Sequence, residues 1–204
     1  MAELATHSLQ KYQTLVKLHP DDPEAYFGLG MAYEEQGNLA EAVRAYGQAI
    51  KLNPQHARAY LHRGFMFASN AELVGALKEF ERAFELEPHL GNLFSDPNTA
   101  AAYKRRIDLS LQQFERPLLI NPNDGFAHFQ MGMANKYFGR PELALQNLKK
   151  SIDINPRLWE AFDQAGQIYA RLGQNKLAIL HLQRAVETNP RFADSHYQLG
   201  LIYE

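Results

Sequence analysis

The chain has 204 residues and no cysteine. That excludes disulfides, thiolate metal sites and cysteine nucleophiles, and leaves the redox compartment open. It also lacks a dominant sign of charge. Twenty-one Lys and Arg stand against 23 Asp and Glu, a formal net charge of −2, so neither nucleic acid nor an anionic membrane is attracted globally. No run approaches the ~20 apolar residues of a membrane span, so no direct membrane insertion is expected. The opening stretch MAELATHSLQKYQTLV has neither the basic start nor the apolar core of a secretory signal. A cytoplasmic location is expected, with a periplasmic or other exported compartment left open. Also missing are a P-loop, a dinucleotide-binding glycine fingerprint, an HExxH pair, a nucleophile elbow and a calcium loop. The histidines, His7, His19, His56, His62, His89, His128, His181 and His196, are scattered. No catalysis, cofactor or metal is expected within the chain.

What is present is a period. Prolines stand at 20, 54, 88, 122, 156 and 190, each 34 residues after the last. Between them the segment 23–56 sets the pattern. Tyr26, Leu29, Gly30 and Tyr33 lie three and four apart and share one face of a first helix. Gly37 stops that helix as a left-handed cap residue does. Ala42, Tyr46, Ala49 and Ile50 repeat the spacing on a second helix, which Asn53-Pro54 ends, because the residue before proline is pushed out of the α region. The first aromatic at Tyr26 recurs as Tyr60, His128, Phe162 and His196, and Gly30 recurs as Gly64, Gly132, Gly166 and Gly200. Ala42 recurs as Ala76, Ala144 and Ala178, and Ala49 as Ala83, Ser151 and Ala185.

These registered positions resemble the tetratricopeptide repeat family, whose unit is a 34-residue helix–turn–helix. The resemblance covers essentially the whole chain and implies an all-α superhelical solenoid that serves as a binding scaffold. Residues 6–22 read as a half repeat and 23–56 and 57–90 as full repeats. Residues 91–124 read as an irregular repeat, 125–158 and 159–192 as full repeats, and 193–204 as the first helix of a further one. In the second full repeat Arg63 replaces the usual leucine, and Ala71 replaces the turn glycine. Asn70 is expected to take the left-handed conformation in its stead. In the irregular repeat a loop is expected at about 89–95, then one longer helix starting at Pro97 and kinked or ended at Pro117, near Arg116. The last helix carries Leu199, Ile202 and Tyr203 on a face that has no second helix to receive it, so either more chain or another molecule, a second copy included, is expected to cover it.

At 100° per residue, repeat positions 2, 5, 9, 12 and 13 lie opposite the packed face of each first helix. In the family this inner face is the concave surface that binds extended peptides or partner helices. Here it presents Phe27 and Met31, then Leu61 and Phe65, then Phe126, Phe129, Met133 and Tyr137; Glu160, Asp163, Gln167 and Arg171 make the next stretch polar. Leu93 and Phe94, with Leu90, have no place in the repeat and are expected to contact the groove or a partner. A protein or peptide partner is therefore expected, and the alternative is that the irregular repeat folds back and fills the groove. Two other settings share the pattern: the recognition arm of a larger enzyme such as a glycosyltransferase, and a self-assembling subunit of a large complex. A chaperone-tail clamp of lysine, asparagine and arginine is not matched, since Phe27, Met31 and His62 stand at the corresponding places.

Overall fold

In a computed structural model, residues 2–90 and 97–203 are described. Among them are eleven α-helices and no strand. They are α1 (Ala2–Leu18), α2 (Pro23–Glu35), α3 (Leu39–Leu52), α4 (Ala57–Ser69), α5 (Leu73–Leu86), α6 (Pro97–Ile120), α7 (Gly125–Tyr137), α8 (Pro141–Ile154), α9 (Trp159–Arg171), α10 (Asn175–Thr188) and α11 (Ala193–Tyr203). The chain divides into two compact units, residues 1–106 and 107–204, with the division inside α6.

The hairpins α2–α3, α4–α5, α7–α8 and α9–α10 are built alike because the same residues do the same work. The second-helix alanines Ala42, Ala49, Ala76, Ala83, Ala144, Ala178 and Ala185, together with Ser151, are fully buried. Ser151 Oγ donates to the Gly125 carbonyl at 2.7 Å, which keeps its hydroxyl satisfied. In each of these hairpins the recurring first-helix glycine faces the residue sixteen positions on. A Cβ on Gly30 would lie 2.5 Å from the Tyr46 ring, on Gly64 2.6 Å from Phe80, on Gly132 2.9 Å from Leu148 and on Gly166 2.6 Å from Leu182. The second helices end where the sequence says they must. Asn53, Glu87, Asn155 and Asn189 each precede a proline and are extended, with φ between −140° and −128°. Asp22 and Asp124 cap α2 and α7 by accepting from Glu24 N and Ala127 N, both at 2.9 Å.

The turns inside the hairpins share one hydrogen-bond signature. Asn38, Glu72, Arg140 and Gln174 each donate their backbone N–H to the carbonyl five residues back, at 2.9 Å in every case, which is the outer bond of a Schellman motif. That geometry needs one residue with positive φ. It is Gly37 at 73°, Gly139 at 68° and Gly173 at 70°, and in the second hairpin it is Ala71 at 60°. Asn70, expected to fill this role, stays at φ −92°. The motif fixes the place of the left-handed residue relative to the helix end, so the intrinsic tolerance of asparagine does not move it. Ala71 therefore carries a steric cost that glycine would not. Ala71→Gly should raise stability by on the order of 0.5–1 kcal/mol, the relief of that cost less the extra freedom of an unfolded glycine; the urea midpoint checks this, and a fall would contradict it.

Two further departures have local reasons. Arg63, in place of the usual leucine, makes two hydrogen bonds to Glu79 on α5, Nε to Oε2 at 2.9 Å and Nη2 to Oε1 at 2.8 Å. The substitution is matched by a partner. The long helix α6 does not end near Arg116 but continues through Pro117 to Ile120, and Asn121 N–H still bonds the Pro117 carbonyl at 2.9 Å. Proline removes one ladder donor, yet the apolar stripe of buried Phe114 and half-buried Leu118 runs past it, so packing holds the last turn.

Candidate functional site

In the amino-terminal unit the expected inner face is closed. Phe27, Leu61 and Phe65 are buried and Met31 is half-buried. What covers them is a cluster that includes the start of α6. The Tyr103 ring stacks on Phe65 with centroids 6.1 Å apart and planes 27° apart, and meets His62 edge-on at 5.8 Å. Phe27 packs on Tyr46 at 5.7 Å, on His56 at 4.9 Å and edge-on to His62 at 5.3 Å. Leu90 is buried as well, while Leu93 and Phe94 lie outside the described residues.

A carboxylate lies in the middle of this aromatic cluster. Glu34 Oε2 accepts from the Tyr46 hydroxyl at 2.8 Å and from His62 Nδ1 at 3.1 Å, and Oε1 accepts from Arg106 Nε at 2.5 Å. Burial pushes the Glu34 carboxyl up, but the His62 hydrogen bond and the Arg106 guanidinium outweigh it and hold the group at about 2. Burial likewise lowers the pKa of His62, against the opposing pull of Glu34, and raises that of Tyr46. The ring is therefore neutral at neutral pH. With Nδ1–H given to the carboxylate, Nε2 is an acceptor, and the Tyr103 hydroxyl 3.3 Å away donates to it. The Glu34 carboxylate, the Tyr46 hydroxyl and both ring nitrogens of His62 are thus matched within the cluster. Of the basic triplet Lys104, Arg105 and Arg106, the first two are exposed and the third is this ion pair. Nothing in the repeat pattern links Glu34 to Arg106, because α6 departs from that pattern.

In the carboxy-terminal unit the corresponding face is partly open. Phe126 is 54% exposed and stacks on half-buried Phe129 with centroids 6.1 Å apart and planes 28° apart. Phe129 in turn packs on the core of Ala144, Leu148, Ala161, Ala165 and Ile168. Met133 and Tyr137 are buried. Beyond them lies a cleft of about 410 Å³, to which three successive first helices contribute: Lys136 from α7, Gln167, Ala170 and Arg171 from α9, and Gln198, Leu201 and Ile202 from α11. Lys136 donates to Gln164 Oε1 and lies 5.5 Å from the centre of the Tyr137 ring. Arg171 is exposed and makes no ion pair among the described residues.

Asp163, expected to line the same face, is instead structural. It is buried and accepts from Ser195 Oγ at 2.5 Å, Gln167 Nε2 at 2.8 Å and Gln164 Nε2 at 3.1 Å. Burial raises its pKa, and the Ser195 bond opposes that. This bond ties α11 to α9. His128 is buried, its Nε2 donating to the Pro122 carbonyl at 3.0 Å and its Nδ1 lying 3.2 Å from the side-chain amide of Asn147, which is the packed role its place in the repeat implies. Among the described residues no group of three His, Asp or Glu could hold a metal ion, and no helix is long and apolar enough to cross a membrane.

No functionally curated protein matches the chain. Among solved structures it is similar to YrrB, described as a TPR protein with an unusual peptide-binding site, at 24% identity over 91% of this chain and 96% of that one, TM-score 0.43. It is similar to MamA at 19% identity over 91% of this chain and 89% of that one, TM-score 0.40. It is also similar to the TPR domain of P58(IPK) at 16% identity over 99% of this chain and 60% of that one, TM-score 0.45. Models of the tetratricopeptide repeat match residues 23–56 and 127–158, and a TPR repeat model matches residues 6–37 and 166–204. With those matches on helix hairpins whose glycines, buried alanines and prolines recur every 34 residues, the chain belongs to the tetratricopeptide repeat family.

Proposed function

We propose that the chain is a non-catalytic scaffold that holds a segment of a partner protein on the first-helix face of its carboxy-terminal unit. Tetratricopeptide repeats are in general interaction modules without catalysis of their own. The reading is supported by exposed Phe126, stacked on Phe129 of α7, and by the cleft to which α7, α9 and α11 contribute. Exposed apolar surface of this kind usually marks an interaction site. Phe126 offers rigid apolar area and Arg171 an uncommitted charge, so aromatic burial would supply affinity and Arg171 would set orientation and salt sensitivity.

Affinity capture from cell extract, quantified for the wild type and for Phe126→Ala and Arg171→Glu, tests this reading. One partner should be depleted in both variants while others are unchanged. Phe126→Ala should weaken that partner by on the order of 2 kcal/mol and leave the helical circular dichroism intact, because Phe126 is not part of the core. A partner profile identical across the three proteins would contradict the proposal.

A second reading has its own observation. Tyr197 and Leu201, four residues apart on one side of α11, are 62% and 49% exposed, a face suited to a second copy of the chain. Light scattering after size exclusion separates the two: a concentration-dependent dimer that is abolished by Tyr197→Glu, a change outside the cleft lining, would support self-association.

A further inference from the structure

The first-helix face of the amino-terminal unit is filled, and the chemistry of the filling describes what it receives. The receiving side is Phe27 and Glu34 from α2, Tyr46 from α3, and His62 and Phe65 from α4. All are buried except the edge of Glu34, whose side chain is 10% exposed. Glu34, Phe27 and Phe65 occupy the repeat positions that face away from the hairpin core. The inserted side is two residues of α6 one turn apart: Tyr103, whose ring covers Phe65 and whose hydroxyl reaches His62, and Arg106, which reaches Glu34. The guanidinium also lies 5.7 Å from the Tyr103 ring centre, so the two side chains form one unit on one face of the helix. Both remain partly exposed, Arg106 by 34% of its side chain. They lie at the rim of the cluster, and the receiving residues lie beneath.

We propose that this face is a receptor for a helix presenting a phenol and, three residues later, an arginine, and that residues 97–106 of α6 fill it in cis as an exchangeable occupant, so that a partner helix of the same chemistry enters only when that stretch leaves. Charge complementarity selects the occupant: a carboxylate under aromatic cover demands a cation, and the planar guanidinium of arginine suits both the carboxylate and the ring. The acceptor nitrogen of His62 demands a hydroxyl donor, which a phenylalanine would not supply. A partner with glutamate or lysine at the arginine position, or phenylalanine at the tyrosine position, is disfavoured on the same grounds. The receptor lies in the amino-terminal unit, and its test does not depend on the face assigned to the partner above.

The probe is a peptide of residues 97–108, held helical by a hydrocarbon staple between positions 101 and 105, both exposed in α6, since so short a helix does not persist in water. It is titrated by fluorescence anisotropy against the full-length wild type and against full-length Tyr103→Ala/Arg106→Ala. The peptide should bind the double variant at least ten-fold tighter than the wild type. Adding Glu34→Gln to that variant, or Arg106→Glu to the peptide, should reverse the gain. Phe126→Ala should leave this binding unchanged, so the present proposal and the proposed function fail separately. Equal binding by wild type and double variant would overturn the exchange, and so would loss of cooperative unfolding in the double variant, which would make α6 a wall of the unit. Hydrogen exchange on the unaltered chain gives an independent reading. Amides of 101–106 should exchange at least ten-fold faster than those of α3 and α5, and exchange at the same rate would overturn the proposal.

Discussion

Gly132→Leu should lower the unfolding free energy by about 1–3 kcal/mol or more. The first carbon of the new side chain already lies 2.9 Å from Leu148 Cγ and 3.3 Å from the Ala144 carbonyl oxygen. Leu148 and Ala144 are fully buried, so neither can rotate into solvent, and the backbone oxygen can move only if α8 moves. The leucine branch then wedges α7 away from α8 and forfeits close packing along the hairpin. Gly200 is the control. It occupies the same repeat position on α11, but nothing lies within 4 Å of a Cβ there, and Gly200→Leu should be neutral or slightly stabilising through helix propensity. Urea unfolding of the two variants gives the contrast. An equal loss in both would mean that the recurring glycine serves local backbone needs rather than the approach of paired helices.

Glu34→Ala should cost on the order of 3–5 kcal/mol, the penalty for removing one partner of a buried charged pair. The loss strands two buried donors, the Tyr46 hydroxyl and His62 Nδ1–H, and takes the carboxylate from the Arg106 guanidinium at the rim. The same carboxylate gives a pH dependence of known sign. Its folded pKa, about 2, is below the ordinary 4.5, so its contribution is complete above pH 4.5 and is lost as pH falls from 4.5 towards 2. That contribution is about 3 kcal/mol. Denaturant titrations at pH 7, 4.5, 3 and 2 should show a steeper acid loss for the wild type than for Glu34→Gln, whose side chain does not titrate. Parallel pH profiles would contradict the network.

The helix hairpins were legible in the sequence because each of their constraints is local and repeats. Proline at the end of each second helix, a small residue where helices touch and a turn glycine act within a few residues, and the period makes them visible. Ala71 shows the limit of residue preference, since the Schellman hydrogen bonds fix which residue takes positive φ and override the greater tolerance of its neighbour Asn70. Pro117 shows another: the continuing apolar face decides where α6 ends. The inner face was legible as a direction but not as a surface. A helical wheel places Phe27, Leu61 and Phe65 opposite the hairpin core, yet it holds no information on what approaches from elsewhere in the chain, and Tyr103 and Arg106 come from the one segment that abandons the repeat. The same wheel placed Asp163 on the open side, and its burial follows from the Ser195 hydrogen bond, a contact between successive repeats that spacing within one helix cannot reveal.

The scaffold reading is tested most directly by photocrosslinking. A benzoylphenylalanine replaces Phe126 on the first-helix face or Leu180 on α10; both positions are 54% exposed in the carboxy-terminal unit. Equal exposure removes accessibility as an explanation for any difference. Irradiation in cell extract should give a discrete protein adduct from position 126 and none of that mass from position 180. Adducts of equal yield at both positions, or an adduct from position 180 alone, would contradict it.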